Sequence, residues 1–148
     1  MVGAEWTLRY VGNHADEFAG KKLIFESTEN ISDNIRRADL KVEETIVNPT
    51  GKQTTKYTFY EFKSVQEIPP YNFTEQFGKD LLNDKVNDLS QLKWVFDGKK
   101  VTQEQLVETM GKTIEEWNIP KDIKDKWITE DMTEKIFKNK LKDIFKAK

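Results

Sequence analysis

Residues 54–65 read Thr54-Thr55-Lys56-Tyr57-Thr58-Phe59-Tyr60-Glu61-Phe62-Lys63-Ser64-Val65, the longest alternating run in the chain. Successive side chains of a strand point to opposite faces, so Tyr57 and Phe59 share one side and Thr58, Tyr60 and Phe62 the other. Aromatic residues on both sides predict a strand covered on both faces, or one whose second face meets a partner. Just upstream, residues 40–47 set Leu40, Val42, Glu44 and Ile46 against Lys41, Glu43, Thr45 and Val47. Asn48-Pro49-Thr50-Gly51-Lys52 joins the two runs, and its Pro and Gly fix turn angles, which predicts a hairpin.

Working outward toward the N-terminus, Trp6, Leu8 and Tyr10 alternate with Thr7 and Arg9, and Leu23 and Phe25 share a face of residues 21–26. Both segments read as strands. Between them and the hairpin, Ser32 is a suitable N-cap for a short helix over 33–38, with Asp33 in its first turn. The expected order is β-β-α-β-β.

Beyond Pro69 and Pro70 the periodicity becomes helical. Asn72 or Thr74 can cap a helix to about Leu82, with Phe73, Phe77 and Leu81 at spacing four. Residues 89–96 fit either a helix or, over 93–96, a fifth strand, and Asp97-Gly98 marks a turn. Thr102-Gln103-Glu104-Gln105 is a capping box that starts a helix carrying Leu106, Met110, Ile114 and Trp117, with Pro120 as its stop. A last helix from near Thr129 buries Met132, Ile136, Phe137, Leu141, Ile144 and Phe145. The fold expected is α+β: an N-terminal, mainly antiparallel sheet of four to five strands, then three to four helices packed on it. A single domain is expected over residues 1–148, β-rich over 1–68 and helical over 71–148, because neither half alone buries much apolar surface.

Composition narrows the chemistry. The 148 residues contain no Cys and one His, which excludes disulfides, thiolate nucleophiles, thiolate metal sites and a multi-His cage within one chain. No apolar run approaches the roughly 18 residues of a membrane span, and residues 1–20 lack the pattern of a secretory signal. A cytoplasmic location is therefore expected. Of 24 basic side chains only Arg9, Arg36 and Arg37 are guanidinium groups, which leaves few planar donors for guanine edges or phosphates. The bias toward Lys fits an AT-rich coding sequence such as that of a low-GC bacterium or its phage. Net charge is −2 over residues 1–70, −3 over 71–120 and +3 over 121–148. Those last cations complement the dipole of the final helix.

No catalytic constellation stands out. His14 lies beside Asp16 and Glu17, either of which can orient it as a base, but a surface loop gives the same string. The adjacent acids Asp16/Glu17, Glu43/Glu44 and Glu115/Glu116 diverge in direction and form no acid/base dyad alone. Asp84-Lys85-Val86-Asn87-Asp88 lacks the Gly and distal Glu of a calcium loop, and Gly111-Lys112-Thr113 lacks the first Gly of a phosphate loop. Neither a metal nor a cofactor is expected.

Residues 102–111, Thr102-Gln103-Glu104-Gln105-Leu106-Val107-Glu108-Thr109-Met110-Gly111, resemble the second helix of the phage-repressor helix-turn-helix family. That resemblance implies a turn at Gly111 and a DNA-reading helix after it, reaching Trp117. The continuation carries Glu115 and Glu116 where phosphates would lie, and a capping box followed by an amphipathic helix gives the same string.

The function expected is that of a small non-enzymatic interaction protein, an accessory factor of a phage or mobile element that binds a host or virion protein. Its contact residues would be Tyr57, Tyr60 and Phe62 from the aromatic strand, with Lys138, Lys142 and Lys146 from the basic end. The alternative is a nucleic-acid-associated regulator using residues 102–117, including Lys112, and the C-terminal lysines. A second alternative is a small-ligand or hydrolytic domain with His14 or Glu26 in a pocket under the sheet.

Overall fold

The computed structural model describes residues 2–31, 34–64 and 70–148. The chain is α+β, with a five-stranded mixed sheet. Two helices come first, α1 (Val2–Asn13) and α2 (Ala15–Phe18). Strands β1 (Lys22–Ile31), β2 (Asn34–Val47) and β3 (Gln53–Lys63) form an antiparallel meander. Helix α3 (Pro70–Leu82) and a 3-10 turn (Leu89–Gln91) lead into β4 (Leu92–Phe96), which pairs parallel to β3. Helices α4 (Gln103–Glu116), α5 (Lys121–Trp127) and α6 (Glu134–Leu141) follow. A second 3-10 turn (Lys142–Ile144) then leads to β5 (Phe145–Ala147), parallel to β4. Strand order is β1-β2-β3-β4-β5. Among the described residues no helix is long and apolar enough to cross a membrane.

The β2–β3 hairpin forms as expected. Asn48 Oδ1 accepts from the backbone N–H of Thr50 and Lys52, and Gly51 supplies a φ of +85°. The capping box also forms: Gln105 N donates to Thr102 Oγ1 at 3.1 Å, and Thr102 N to Gln105 Oε1 at 2.9 Å. Residues 89–96 divide between the two readings, with Asp88 capping the 3-10 turn before β4 begins.

Three expected elements differ. The expected strand at 5–11 is part of α1, because Trp6 and Tyr10 are four apart as well as two apart from Leu8, and the helix buries them while leaving Leu8 63 % exposed. The expected helix at 33–38 is strand from Asn34 onward, where pairing with β1 overrides weak local propensity; Ser32 and Asp33 lie outside the described residues. The single final helix is two shorter ones and a strand. Thr133 caps α6, Ile136 faces solvent, and Phe145 is buried beside Trp94 in the sheet. Helix α3 also begins before Asn72 and Thr74, so neither is its N-cap. Gly98 has no room for a side chain, since a Cβ there would stand 2.9 Å from the Lys148 carbonyl oxygen.

Helices cover both faces of β3 and β4. One core joins Phe59, Leu92, Trp94 and Phe96 to α3, α4, α5 and α6. The other packs Leu40, Val42, Tyr60, Phe62 and Val95 beneath Trp6 and Tyr10 of α1 and Phe18 of α2.

Candidate functional site

The β1–β2 ladder omits one pair, Glu26 with Asp39, and Glu26 has a φ of +51°. On either side of this break the strands change face. Leu40 and Val42 belong to the core under α1, whereas Ala38 belongs to the core under α3. Arg36, two residues from Ala38, therefore projects toward α3, where its guanidinium is mostly buried. It donates from Nη2 to Glu61 Oε2 at 2.8 Å, from Nε to Asp80 Oδ1 at 3.0 Å, and from Nη1 to the Arg37 carbonyl at 2.6 Å.

Two further cationic and amide groups complete the cluster. Lys63 Nζ stands 3.1 Å from Glu61 Oε1, donates to Gln76 Oε1 at 2.8 Å and lies over the Trp94 ring at 5.3 Å. Asp80 also accepts from Trp94 Nε1 at 3.1 Å. Asp39 accepts the Phe62 backbone N–H at 2.8 Å. Glu61 and Lys63 are two apart on β3, so they share a face, and the β2–β3 register brings Asp39 to the end of the ladder next to Glu61. Of these groups Arg36, Asp39, Glu61, Lys63 and Gln76 line a cleft of about 550 Å³, together with Arg37, Glu75 and Lys79.

Burial, and then the neighbouring Glu61 charge, push the Asp39 carboxyl up to about 6, against the opposing Phe62 N–H, Lys63 and Arg36. Burial likewise pushes Asp80 up to about 6, with Arg36 working the other way. For Arg36 burial disfavours the charge, but Asp80 and Glu61 outweigh it and hold the guanidinium above its ordinary value. Asp80 is thus balanced within the protein. Glu61 is paired with Arg36 and Lys63, so of the three acids Asp39 alone makes no ion pair among the described residues.

Among the described residues no group of three or more His, Cys, Asp or Glu side chains is arranged for a metal. A pair is nevertheless what Mg²⁺ uses, since that ion keeps several waters and takes one or two carboxylates plus substrate oxygens.

The residues expected from sequence are not brought together. Tyr60 and Phe62 are each 4 % exposed, sealed beneath α1 and α2, so a surface contact role for them is corrected to a core role. Tyr57 is half-buried on the other face, with the ammonium groups of Lys41 and Lys85 5.7 and 5.4 Å from its ring. Lys138 and Lys142 bind the carbonyl and carboxylate of Glu115, and Lys146 lies apart on β5. His14 stacks on Tyr10, its Nδ1 2.8 Å from the Tyr10 carbonyl. Glu17 accepts from the hydroxyls of Tyr10 and Tyr60. Burial and Glu17 hold both phenols above their ordinary range. Glu26 occupies the strand break and is exposed. Residues 102–117 contain no turn at Gly111: one unbroken helix, α4, runs through to Glu116.

Asp39, Glu61, Lys63, Arg36 and Gln76 were not singled out from the sequence as a site. A signal existed in Glu61-Phe62-Lys63, an acid and a base on one strand face at the end of a hairpin whose other strand carries Asp39. The chain matches no known family model, no curated protein and no solved structure.

Proposed function

We propose that this protein hydrolyses phosphodiester bonds of a nucleic-acid strand with the help of a divalent cation held by Asp39 and Glu61. The observation that carries this reading is the meeting of Asp39, Glu61 and Lys63 in one polar cleft. Hard cations take oxygen ligands, and two carboxylates forced together lose their mutual repulsion when such a cation arrives. When bound, the cation polarises the phosphoryl oxygens and supports attack by water.

The chain's own residues have the complementary tasks. Lys63, held by Glu61 and Gln76, presents its ammonium to the charge that develops on the phosphoryl oxygens. Arg36 holds Glu61, and Asp80 in turn holds Arg36, so the metal-side carboxylate is fixed from behind. Arg37 and Lys79 at the rim suit flanking phosphates. In the reaction a water molecule releases a proton to solvent as its oxygen bonds to phosphorus, the bond to the leaving sugar oxygen breaks, and that oxygen takes up a proton. The cleft is open to solvent and not enclosed, which suits a strand better than a small buried ligand.

The test is incubation of the protein with supercoiled plasmid, single-stranded DNA and RNA, each with Mg²⁺, with Mn²⁺ and with a chelator. Cleavage of at least one substrate is expected with a cation and none with the chelator. Asp39→Asn, Glu61→Gln and Lys63→Met should each lower it by about 10³-fold while near-UV circular dichroism stays native. No cleavage under any of these conditions, or full activity in Glu61→Gln, would overturn the reading.

A further inference from the structure

A second, differently charged concavity runs from the sheet face beside α1 and α2 onto the 3-10 turns at Leu89–Gln91 and Lys142–Ile144. A trough of about 580 Å³ and a smaller one of about 220 Å³ share Glu17, Ser90 and Lys93. Lys21 and Lys56 line the smaller part; Lys140, Lys146 and Lys148 line the larger; Lys93 stands between them, its ammonium 5.9 Å from the centre of the Tyr60 ring. Register explains the clustering. Tyr60 pairs with Lys93 and Val95 with Lys146, so Lys93 and Lys146 project from the face that α1 and α2 only partly cover.

None of these six lysines makes an ion pair or a side-chain hydrogen bond among the described residues. Lys41, Lys63, Lys85 and Lys142, by contrast, are all paired. The trough's acids are partly committed already: Glu17 to Tyr10 and Tyr60, Asp88 to the Ser90 N–H. Asp143 and Glu44 are the others. The lining therefore sets six lysines against four acids, while its apolar members Leu89, Leu92 and Ile144 are buried in the core beneath it.

We infer that this trough docks an acidic polypeptide segment of a partner protein, its carboxylates meeting the six lysines. Lys serves as a point charge toward carboxylates, and the lining holds no guanidinium fork for bidentate grip on phosphate. The inference stands apart from the hydrolytic reading. Tyr60 and Glu61 point to opposite sides of β3, so a segment in the trough does not touch Asp39 or Glu61.

The test uses fluorescence anisotropy with a labelled acidic amphipathic peptide of Glu and Leu, alongside a labelled DNA duplex of similar charge. The peptide should bind the wild type and weaken with added salt. Lys93→Glu/Lys146→Glu should reduce its affinity by about tenfold or more, while Lys112→Glu/Lys135→Glu, an equal charge change elsewhere, should alter it less than about twofold. Cation-dependent cleavage should be the same in all three proteins, which separates failure here from failure of the hydrolytic reading. The inference is overturned by no peptide binding at low salt, by equal losses in both double variants, or by a duplex that binds more tightly than the peptide and is lost in the trough variant.

Discussion

The two faces of β3 differ more than the two ends of the chain do. On one side Tyr60 and Phe62 pack against Tyr10, Phe18 and Trp6 in a buried aromatic cluster. On the other, one residue further along, Glu61 and Lys63 form ion pairs in a mostly buried place beside Asp39, Arg36 and Asp80. Burying aromatic surface stabilises a fold directly. Burying several charges together rarely does, and a hydrophobic substitute is often as good or better. The aromatic face is therefore explained by stability alone, whereas the charged face asks for a use. Perturbed, partnered acids in a cleft mark functional sites for this reason.

Substitutions on the two faces of β3 should have opposite consequences. Glu61→Gln should lower cation-dependent strand cleavage by about 10³-fold, which corresponds to roughly 4 kcal/mol of barrier, in a protein that still folds. Its aromatic neighbour should behave in the opposite sense. Phe62→Ala should cost about 3–5 kcal/mol in urea unfolding. A loss below about 1 kcal/mol would mean that α1 does not seal that face as described.

A finer test lies in the sign of one pH dependence. The Asp39 carboxyl rises from its ordinary 3.8 to about 6 on folding, so the folded state binds its proton more tightly than the unfolded state does. Its ionised form thus costs stability above about pH 6, and the cost fades as pH falls toward the unfolded value. Asp39→Asn, which keeps an oxygen for the Phe62 N–H, should be more stable than wild type by about 1–2 kcal/mol near pH 7, after discounting for partial exposure. That gap should close by about pH 4, as read from paired urea titrations. A destabilised Asn variant at neutral pH would show that the carboxylate is a structural asset. The smallest effect belongs to Tyr60→Phe, which removes one hydroxyl from Glu17. It should cost about 1 kcal/mol and leave cleavage unchanged.

The hairpin at residues 48–52 and the capping box at Thr102 were legible because each is specified within a few residues. The first helix was not, because Trp6-Thr7-Leu8-Arg9-Tyr10 satisfies both periods and only the exposure of Leu8 distinguishes them. Arg36 was hidden for a related reason: read as part of a short helix, it has no route to Glu61. The candidate site depends on long-range register, with Asp39 from one strand, Glu61 and Lys63 from the next and Gln76 from α3. In the sequence Glu61 merely offsets nearby lysines. Only pairing with β2 makes it one half of an acid pair.

The gap between Glu26 and Asp39 lies between the pairs Phe25–Leu40 and Ser27–Ala38. It is a matched dislocation: each strand of the β1–β2 arm slips phase once, so the pairing sum is preserved on both sides and the hairpin stays closed. A single-residue insertion or deletion on one strand alone would cancel the match and invert the 34–38 arm. Arg36 would then swing to the outer side, and Asp80 would lose its counter-ion inside the protein. This cluster should therefore tolerate many point changes around it but almost no change in the length of the arm that delivers it.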